Sequence, residues 1–231
     1  MRLVSQIKSY FVKPGVRPRR ILLGVARNVR FGIDLTCKSQ RLLGLEEREI
    51  AAPFARFCRE ARTFVDVGAN DGYYTTLAAV LNSRAKIFAC DPAPRMRERC
   101  QLNLRLNGLD LGERIDYRAD CVGTSVDTGF VSLDRLLDGA PSPVCIKVDV
   151  DGPELDVLQS GEKALRTLLC RLIVETHSRE LERDCIAYLE ALAYRCRVVK
   201  NAWWRILVPE LRRLEHNRWF LAEPANPDGP S

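Results

Sequence analysis

The residues best suited to chemistry stand where short apolar runs stop. The run 64–67 contains Asp66, ends at Gly68 and is followed by Asp71 and Gly72, which gives the spacing D-x-G-x-x-x-G. Glycines at such a turn let backbone approach a ligand without an intervening Cβ. The glycine and lysine spacings of nucleotide-phosphate loops are missing. The carboxylates would repel a pyrophosphate but suit a ligand that carries an ammonium group and a sulfonium; the structural alternative is a turn with incidental glycines.

A second acidic position follows about twenty residues further on, at the end of the apolar run 86–90, where Asp91 precedes Pro92. A carboxylate at the tip of a strand can accept both hydroxyls of a ribose, although Asp before Pro is also a common turn former. Asp120, after the run 114–119, is a candidate acceptor for an adenine amino group. Its alternative is a surface-loop carboxylate.

A third signal is the alternation of charged residues along the apolar run 144–150. Lys147, Asp149 and Asp151 share one face of the expected strand, and Glu154 stands just beyond it. Charges on a sheet strand are costly unless they are paired or open into a cleft. Asp149 and Asp151 are therefore expected to face the reactive part of a site, whereas Lys147 has a structural ion pair as its alternative.

The next apolar run, 171–175, ends with Glu175 and His177. His177 is one of two histidines in the chain, and imidazole is the side chain that serves most often as a general base near neutral pH. A lone histidine is more often structural. The catalytic hypothesis assigns the base to Asp149 or His177, with Glu175 orienting the histidine. Asp149 and Glu175 are also weak candidate ligands for a magnesium ion.

These positions need a scaffold that brings them to one edge. The apolar runs alternate with helical patterns, which predicts a parallel sheet with helices on both faces. Ligands of such sheets bind outside the carboxyl ends of the strands. Helices are predicted at 46–60, 73–81 and 95–107, after Pro153 and across 181–192, and further strands at 197–199, 204–208 and 218–221.

The order of the motifs FVDVGANDG, CDPAP, SLDRLL, IKVDVDGPELDVLQSG and LIVETH resembles the FkbM-type methyltransferase family over roughly residues 63–177. The resemblance implies a Rossmann-like class I methyltransferase fold, with a mostly parallel seven-stranded sheet and helices on both faces. It also implies S-adenosylmethionine as cofactor and methylation of a hydroxyl on a sugar, glycan or small metabolite.

The same resemblance implies the cofactor contacts. Asp66, Gly68, Asn70 and Gly72 would line the methionine side and Asp91 would hold the ribose. The family usually has glutamate at the positions of Asp91 and Asp151, and the stretch 120–133 looks short for the strand material commonly found there. The remaining expected contacts are Ala69, Tyr73, Pro92, Asp120, Cys121 and Asp149.

Three segments are expected: a basic lead-in at 1–60 with short strands and a helix, a methyltransferase domain at 61–222 and a loose tail at 223–231. Residues 1–33 carry eight Lys and Arg and no acidic residue. A solvated lead-in is the favoured interpretation; contact with an anionic membrane surface or a nucleic acid is the alternative. No apolar run approaches the roughly 18 residues that span a bilayer, so no transmembrane segment is expected.

The nine cysteines are odd in number and form no C-x-x-C pair, which favours reduced thiols in a cytoplasmic protein. Two other functions stay open. One is an RNA methyltransferase that uses the basic arm and Trp203-Trp204, although nucleic acid is the less favoured partner. The other is a non-catalytic Rossmann-like binding domain. A dehydrogenase is disfavoured because the dinucleotide glycine pattern is missing.

Overall fold

The computed structural model describes residues 13–200 and 216–226. The described part starts with a hairpin and two helices and continues as alternating strands and helices. In chain order the strands are β1 (Arg17–Arg20), β2 (Arg30–Ile33), β3 (Thr63–Val67), β4 (Lys86–Cys90), β5 (Ile115–Arg118), β6 (Cys121–Val122), β7 (Phe130–Val131), β8 (Val144–Val148), β9 (Cys170–Thr176), β10 (Tyr194–Val198) and β11 (Arg218–Pro224). The helices are α1 (Ser39–Leu42), α2 (Arg48–Glu60), α3 (Tyr73–Leu81), α4 (Pro94–Arg105), α5 (Leu133–Leu136), α6 (Glu154–Gln159), α7 (Glu162–Thr167) and α8 (Arg179–Ala191).

Seven strands form one sheet in the order β10-β11-β9-β8-β3-β4-β5. Only β11 is reversed relative to the other six strands, since it pairs antiparallel with both β10 and β9, so the predicted mostly parallel sheet is confirmed. Every residue of β3 and β8 is buried, because helices cover both faces of a parallel sheet and its strands then need apolar side chains on both sides.

The strand order reverses at β3, which pairs with β4 on one side and with β8 on the other. The connections leaving β3 and β8 therefore diverge to opposite faces of the sheet. This divergence opens a crevice at the carboxyl ends of the two strands, the usual ligand position in open α/β sheets.

The lead-in packs into the core of the main sheet. Phe31 and Ile33 of β2 are fully buried in the same apolar cluster as Phe54 and Tyr73, and the rings of Phe31 and Tyr73 lie 5.1 Å apart, centroid to centroid. The side chain of Asn103 in α4 accepts a hydrogen bond from the Gly32 N–H at 2.8 Å. The expected boundary at residue 60 is therefore not a packing boundary.

Several local expectations differ from the structure. The stretch 120–133, expected to be short for the strand material common in the family, holds the short parallel pair β6 and β7. The last strand continues through Pro224, two residues into the expected loose tail, because Glu223 and Pro224 pair with β10. The strand expected at 204–208 and the Trp203-Trp204 pair lie outside the described residues.

All nine cysteines are free thiols and six of them are buried, as expected for small apolar side chains in a core. Of the helices in the described ranges, none has the length and apolarity that crossing a membrane requires.

Candidate active site

The turn after β3 is built on two glycines in left-handed conformation. Gly68 has φ +77°, and a Cβ there would lie 1.9 Å from the carbonyl oxygen of Asp149. Gly72 has φ +75°, and a Cβ there would lie 2.4 Å from Cys100 Sγ. The two glycines were expected to make room for a ligand, and the structure shows that they also make room for neighbouring backbone and side chains. Their missing Cβ atoms let the segment after β8 and helix α4 pack directly against the turn.

Asp91 joins the two predicted cofactor motifs. Its carboxylate accepts the Asn70 N–H at 2.9 Å through one oxygen and the Ala93 N–H at 2.9 Å through the other. The half-buried carboxylate thus lies at the tip of β4, beside the glycine turn, with exposed Pro92 next to it. Its assignment to a ribose stays a prediction, but the location is the one that this role requires.

Asp66 lies beneath the turn and is fully buried. One oxygen accepts the Thr75 hydroxyl at 2.6 Å, and the other, Oδ1, has no hydrogen-bond partner among the described residues. Burial raises the pKa of this carboxyl, and the nearby Lys147 ammonium opposes the rise. A buried acceptor without a donor fits a binding site for a cation such as an amino acid ammonium.

Asp71 was expected to supply a further carboxylate to the cofactor, but its charge is already paired. Arg41 of the lead-in and Lys38 each approach Asp71 Oδ2 to 2.6 Å. Burial alone would raise the pKa of Asp71, and the two cations outweigh it and lower the pKa to about 2. The residue therefore ties the lead-in to the glycine turn.

At the end of β8, Lys147 Nζ lies 2.9 Å from Asp149 Oδ2. Lys147 is 2% exposed, and its ammonium lies over the rings of Tyr74, at 4.7 Å, and Trp219, at 5.4 Å. The structural alternative for Lys147, an ion pair with a neighbouring carboxylate, is confirmed.

The hydrogen-bond partner of Glu175 is Asp149 and not His177. Burial and the Asp149 carboxylate, with which Glu175 shares a hydrogen bond, raise the pKa of Glu175 to about 11. Burial opposes ionisation of Asp149 as well, but Lys147 and the hydrogen bond from Glu175 outweigh it and lower the pKa of Asp149. At neutral pH a protonated Glu175 therefore donates to an ionised Asp149.

The partner of His177 is Glu154. Nδ1 of the ring lies 2.5 Å from Glu154 Oε1, and Nε2 lies 3.6 Å from Asp151 Oδ1. The expectation that Glu175 orients the histidine is therefore wrong, because the start of α6 places the fully buried Glu154 against the ring. The hydrogen bond to Glu154 raises the pKa of His177 and outweighs the opposing effect of burial.

Glu47 was not among the sequence candidates, yet it reaches the same cluster. It precedes α2 with φ 45° and ψ 40°, a left-handed conformation that is uncommon for glutamate. Burial raises the pKa of its carboxyl to about 7, against the opposing charge of Lys147, and Tyr74 hydrogen-bonds to it. Its Oε2 is buried without a partner among the described residues. No motif in the lead-in marks this residue; only the fold brings it beside β8.

The remaining residues expected to contact the cofactor lie in two places, some at the crevice and one in the core. Asp120 follows β5 and Cys121 opens β6, and both are partly buried on the β4–β5 side of the sheet. The Tyr73 side chain, expected at the cofactor, is buried instead under the Arg41 guanidinium, 4.7 Å from the ring centroid. The carboxyl ends of β3, β4 and β8 thus bring together the turn 68–72, Asp91 and Asp149.

A divalent metal fits this cluster poorly. Asp149, Glu175 and His177 each offer one ligand atom within 4.8 Å of the others. The Lys147 ammonium already pairs with Asp149, at 2.9 Å from its Oδ2. A bound divalent ion would have to compete with this buried cation for Asp149. S-adenosylmethionine fits better, because the orphaned Asp66 oxygen and the Asp91 carboxylate suit its ammonium group and ribose.

Solved structures share this fold at low sequence identity. A methyltransferase FkbM from Methylobacillus flagellatus superposes with a TM-score of 0.55 at 17% identity, covering 71% of this chain and 44% of that one. A SAM-dependent O-methyltransferase from Thermotoga maritima gives 0.51 at 16% identity, covering 95% and 81%. An rRNA methylase from Streptococcus thermophilus gives 0.52 at 15% identity, covering 78% and 98%. The fold is that of the class I methyltransferases.

Residues 123–196 match the family described as the methyltransferase FkbM domain. None of the proteins with curated descriptions matches the chain in sequence. The chain spans less than half of the Methylobacillus FkbM protein. The domain match and the shared fold support the resemblance of the motifs to the FkbM-type methyltransferase family.

Proposed function

We propose that the protein transfers a methyl group from S-adenosylmethionine to a hydroxyl of a sugar, glycan or other small metabolite. The observation that carries the proposal is a pair of acid–base contacts at the carboxyl ends of β8 and β9. Asp149 is held between Lys147 and Glu175, and His177 is held by Glu154. A hydroxyl acceptor needs a group that takes its proton, and these contacts offer two.

The cofactor, when bound, supplies an electrophilic methyl carbon on a sulfonium. The new O–CH3 bond forms as the C–S bond breaks, and the hydroxyl proton leaves to a base on the protein. Asp149 is ionised at neutral pH, and His177 is neutral only above its raised pKa. Proton removal contributes roughly 10²–10⁴-fold to such reactions. The rest of the acceleration comes from aligning the acceptor and excluding water.

The binding roles follow the geometry of the turn. We assign the methionine side of the cofactor to Asp66, Gly68, Asn70 and Gly72 and the ribose to Asp91. Asp120, beyond β5, is the candidate for the adenine amino group. The nine free cysteines are consistent with a reducing compartment such as the cytoplasm.

Calorimetric titration with S-adenosylhomocysteine tests cofactor binding. We expect saturable binding by the wild type, at least about ten-fold weaker in Asp91→Ala because the ribose loses its acceptor. Asp110→Ala is the control, because Asp110 lies on the surface in an exposed pair with Arg105. A folded wild-type protein that does not bind would contradict the proposal and favour a non-catalytic binding domain.

Transfer of labelled methyl from S-adenosylmethionine to sugars tests the acceptor class. An alkali-stable product is expected, because a methyl ether resists hydrolysis and a methyl ester does not. The competing function is RNA methylation, which the arginines of β1 and β2 keep open because none of them pairs with an acidic side chain of the described residues. Labelling of RNA that weakens steeply with salt would favour that function. Full activity in excess chelator would exclude a metal requirement.

A further inference from the structure

The end of the β1–β2 hairpin exposes a cluster of leucines, here called the leucine tip. Leu22, Leu23 and Leu43 are 51%, 59% and 43% exposed. They lie together because the Leu22 N–H donates to the Leu42 carbonyl at 3.0 Å. Gly44 also packs against the carbonyl of Leu23, where a Cβ would lie 2.1 Å from the oxygen. Exposed leucines grouped in this way are typical of a contact surface.

Cations lie along the hairpin that carries the leucine tip, with Arg20 and Arg30 at the end next to the tip. Arg20 and Arg30 are directly opposite each other in the hairpin, and like charges in that position destabilise a strand pair. An anionic partner would relieve the repulsion. Within the described ranges, no acidic side chain pairs with any of the hairpin's cations, which are Lys13, Arg17, Arg19, Arg20, Arg27 and Arg30.

Hydrogen bonds and an ion pair attach the hairpin and the rest of the lead-in to the region around the turn after β3. Asn107, two residues beyond the end of α4, accepts the Arg30 N–H at 2.9 Å and donates to the Arg30 carbonyl at 2.8 Å. The buried Arg41–Asp71 pair ties the lead-in to the turn after β3. A surface that docks on the hairpin is therefore held in a fixed relation to the candidate active site.

We propose that the leucine tip and the cations of the hairpin dock the protein on an anionic phospholipid bilayer. The leucines enter the boundary between headgroups and acyl chains, and the arginines contact lipid phosphates. Single-stranded nucleic acid fits less well, because it needs exposed aromatic side chains for stacking. The one aromatic residue between positions 13 and 45, Phe31, is fully buried.

Co-sedimentation of the full chain with vesicles tests the proposal. We expect binding to phosphatidylcholine vesicles that contain phosphatidylglycerol, little binding to pure phosphatidylcholine, and weakening with salt. Arg20→Gln and Arg30→Gln should each weaken binding about five-fold. The double variant Leu22→Ser/Leu23→Ser should weaken it on the order of ten-fold.

Matched controls are Arg84→Gln, an exposed arginine in the turn after α3, and Val126→Ser, a fully exposed apolar residue in the β6–β7 loop. Both should bind vesicles as the wild type does. Retained S-adenosylhomocysteine binding by the hairpin variants shows that they are folded, and it separates this test from that of the catalytic proposal.

Two results would overturn the docking proposal. One is equal binding, or none, to neutral and anionic vesicles. The other is dependence on the arginines but not on the leucines, together with tighter binding to single-stranded RNA, which would assign the surface to nucleic acid.

Discussion

His177 Nδ1 lies 2.5 Å from Glu154 Oε1, a contact between the residue that follows β9 and the first residue of α6. The buried carboxylate fixes the ring and leaves Nε2 directed toward the exposed Asp151. Because the folded-state pKa of His177 is raised, the contact adds stability that is fully present below the unfolded pKa of about 6.5. That stability is lost as the pH rises through the raised value.

Glu154→Gln should lower the pKa of His177. The amide keeps the shape of the side chain but removes the negative charge that holds the imidazole proton. The measurement is a pH titration of the imidazole NMR signals, which is simple because the chain has two histidines.

The control for this titration is Glu182→Gln, because Glu182 Oε2 lies 3.3 Å from His216 Nε2. It should change the His216 signals and leave the titration of His177 as it is in the wild type. An unaltered His177 curve in Glu154→Gln would show that the carboxylate does not hold the proton.

Gly68→Ala should destabilise the protein by about 4 kcal/mol and abolish S-adenosylhomocysteine binding. The left-handed backbone accounts for roughly 1 kcal/mol, and the rest arises because the new Cβ would lie 1.9 Å from the Asp149 carbonyl oxygen. Gly139→Ala is the matched control, since Gly139 has φ +67° with no atom within 4 Å of the added Cβ. Urea unfolding gives both values, and equal costs would refute the close contact.

Asp71→Asn should cost about 3 kcal/mol, because it leaves the Arg41 guanidinium, 3% exposed, short of one carboxylate. Asp110→Asn breaks the exposed pair with Arg105 and should leave the stability close to that of the wild type. The pKa of Asp71 is lowered to about 2 from 3.8, so its stabilisation is present above pH 3.8 and is lost as the pH falls toward 2. Acid unfolding of the two variants compares their stabilities. A similar loss of stability in both would show that the buried Arg41–Asp71 pair stabilises the protein no more than the exposed pair does.

Glu47→Gln should remove a pH dependence of stability. Burial raises the pKa of Glu47 from 4.5 to about 7, so the folded state holds its proton more tightly than the unfolded chain. The free energy of unfolding of the wild type should therefore fall as the pH rises from 4.5 to 7. The Gln variant should lack this part of the fall. The control is Glu98→Gln, at an exposed glutamate of α4, which should keep the wild-type dependence of stability on pH. If Glu47→Gln also left that dependence unaltered, the Glu47 carboxyl would be exposed to water and not buried.

The sequence by itself determined the parallel sheet and the position of its functional edge. Apolar runs that end in Gly68, Asp91 and Asp149 are local signals, because a strand buried on both faces needs continuous apolar residues and its end needs turn residues. These signals predicted β3, β4 and β8 to within about two residues. They also carried the resemblance to the FkbM-type family.

Only the tertiary structure decided which charges meet. Asp71 pairs with Arg41, His177 with Glu154, and Glu47 approaches Lys147 across elements that are distant in the chain. Such partners depend on how the helices and the sheet pack together. The pattern of residues along the chain does not specify that packing. Burial then sets which carboxyls keep a proton, so the same residue types acquire different charges in the folded protein.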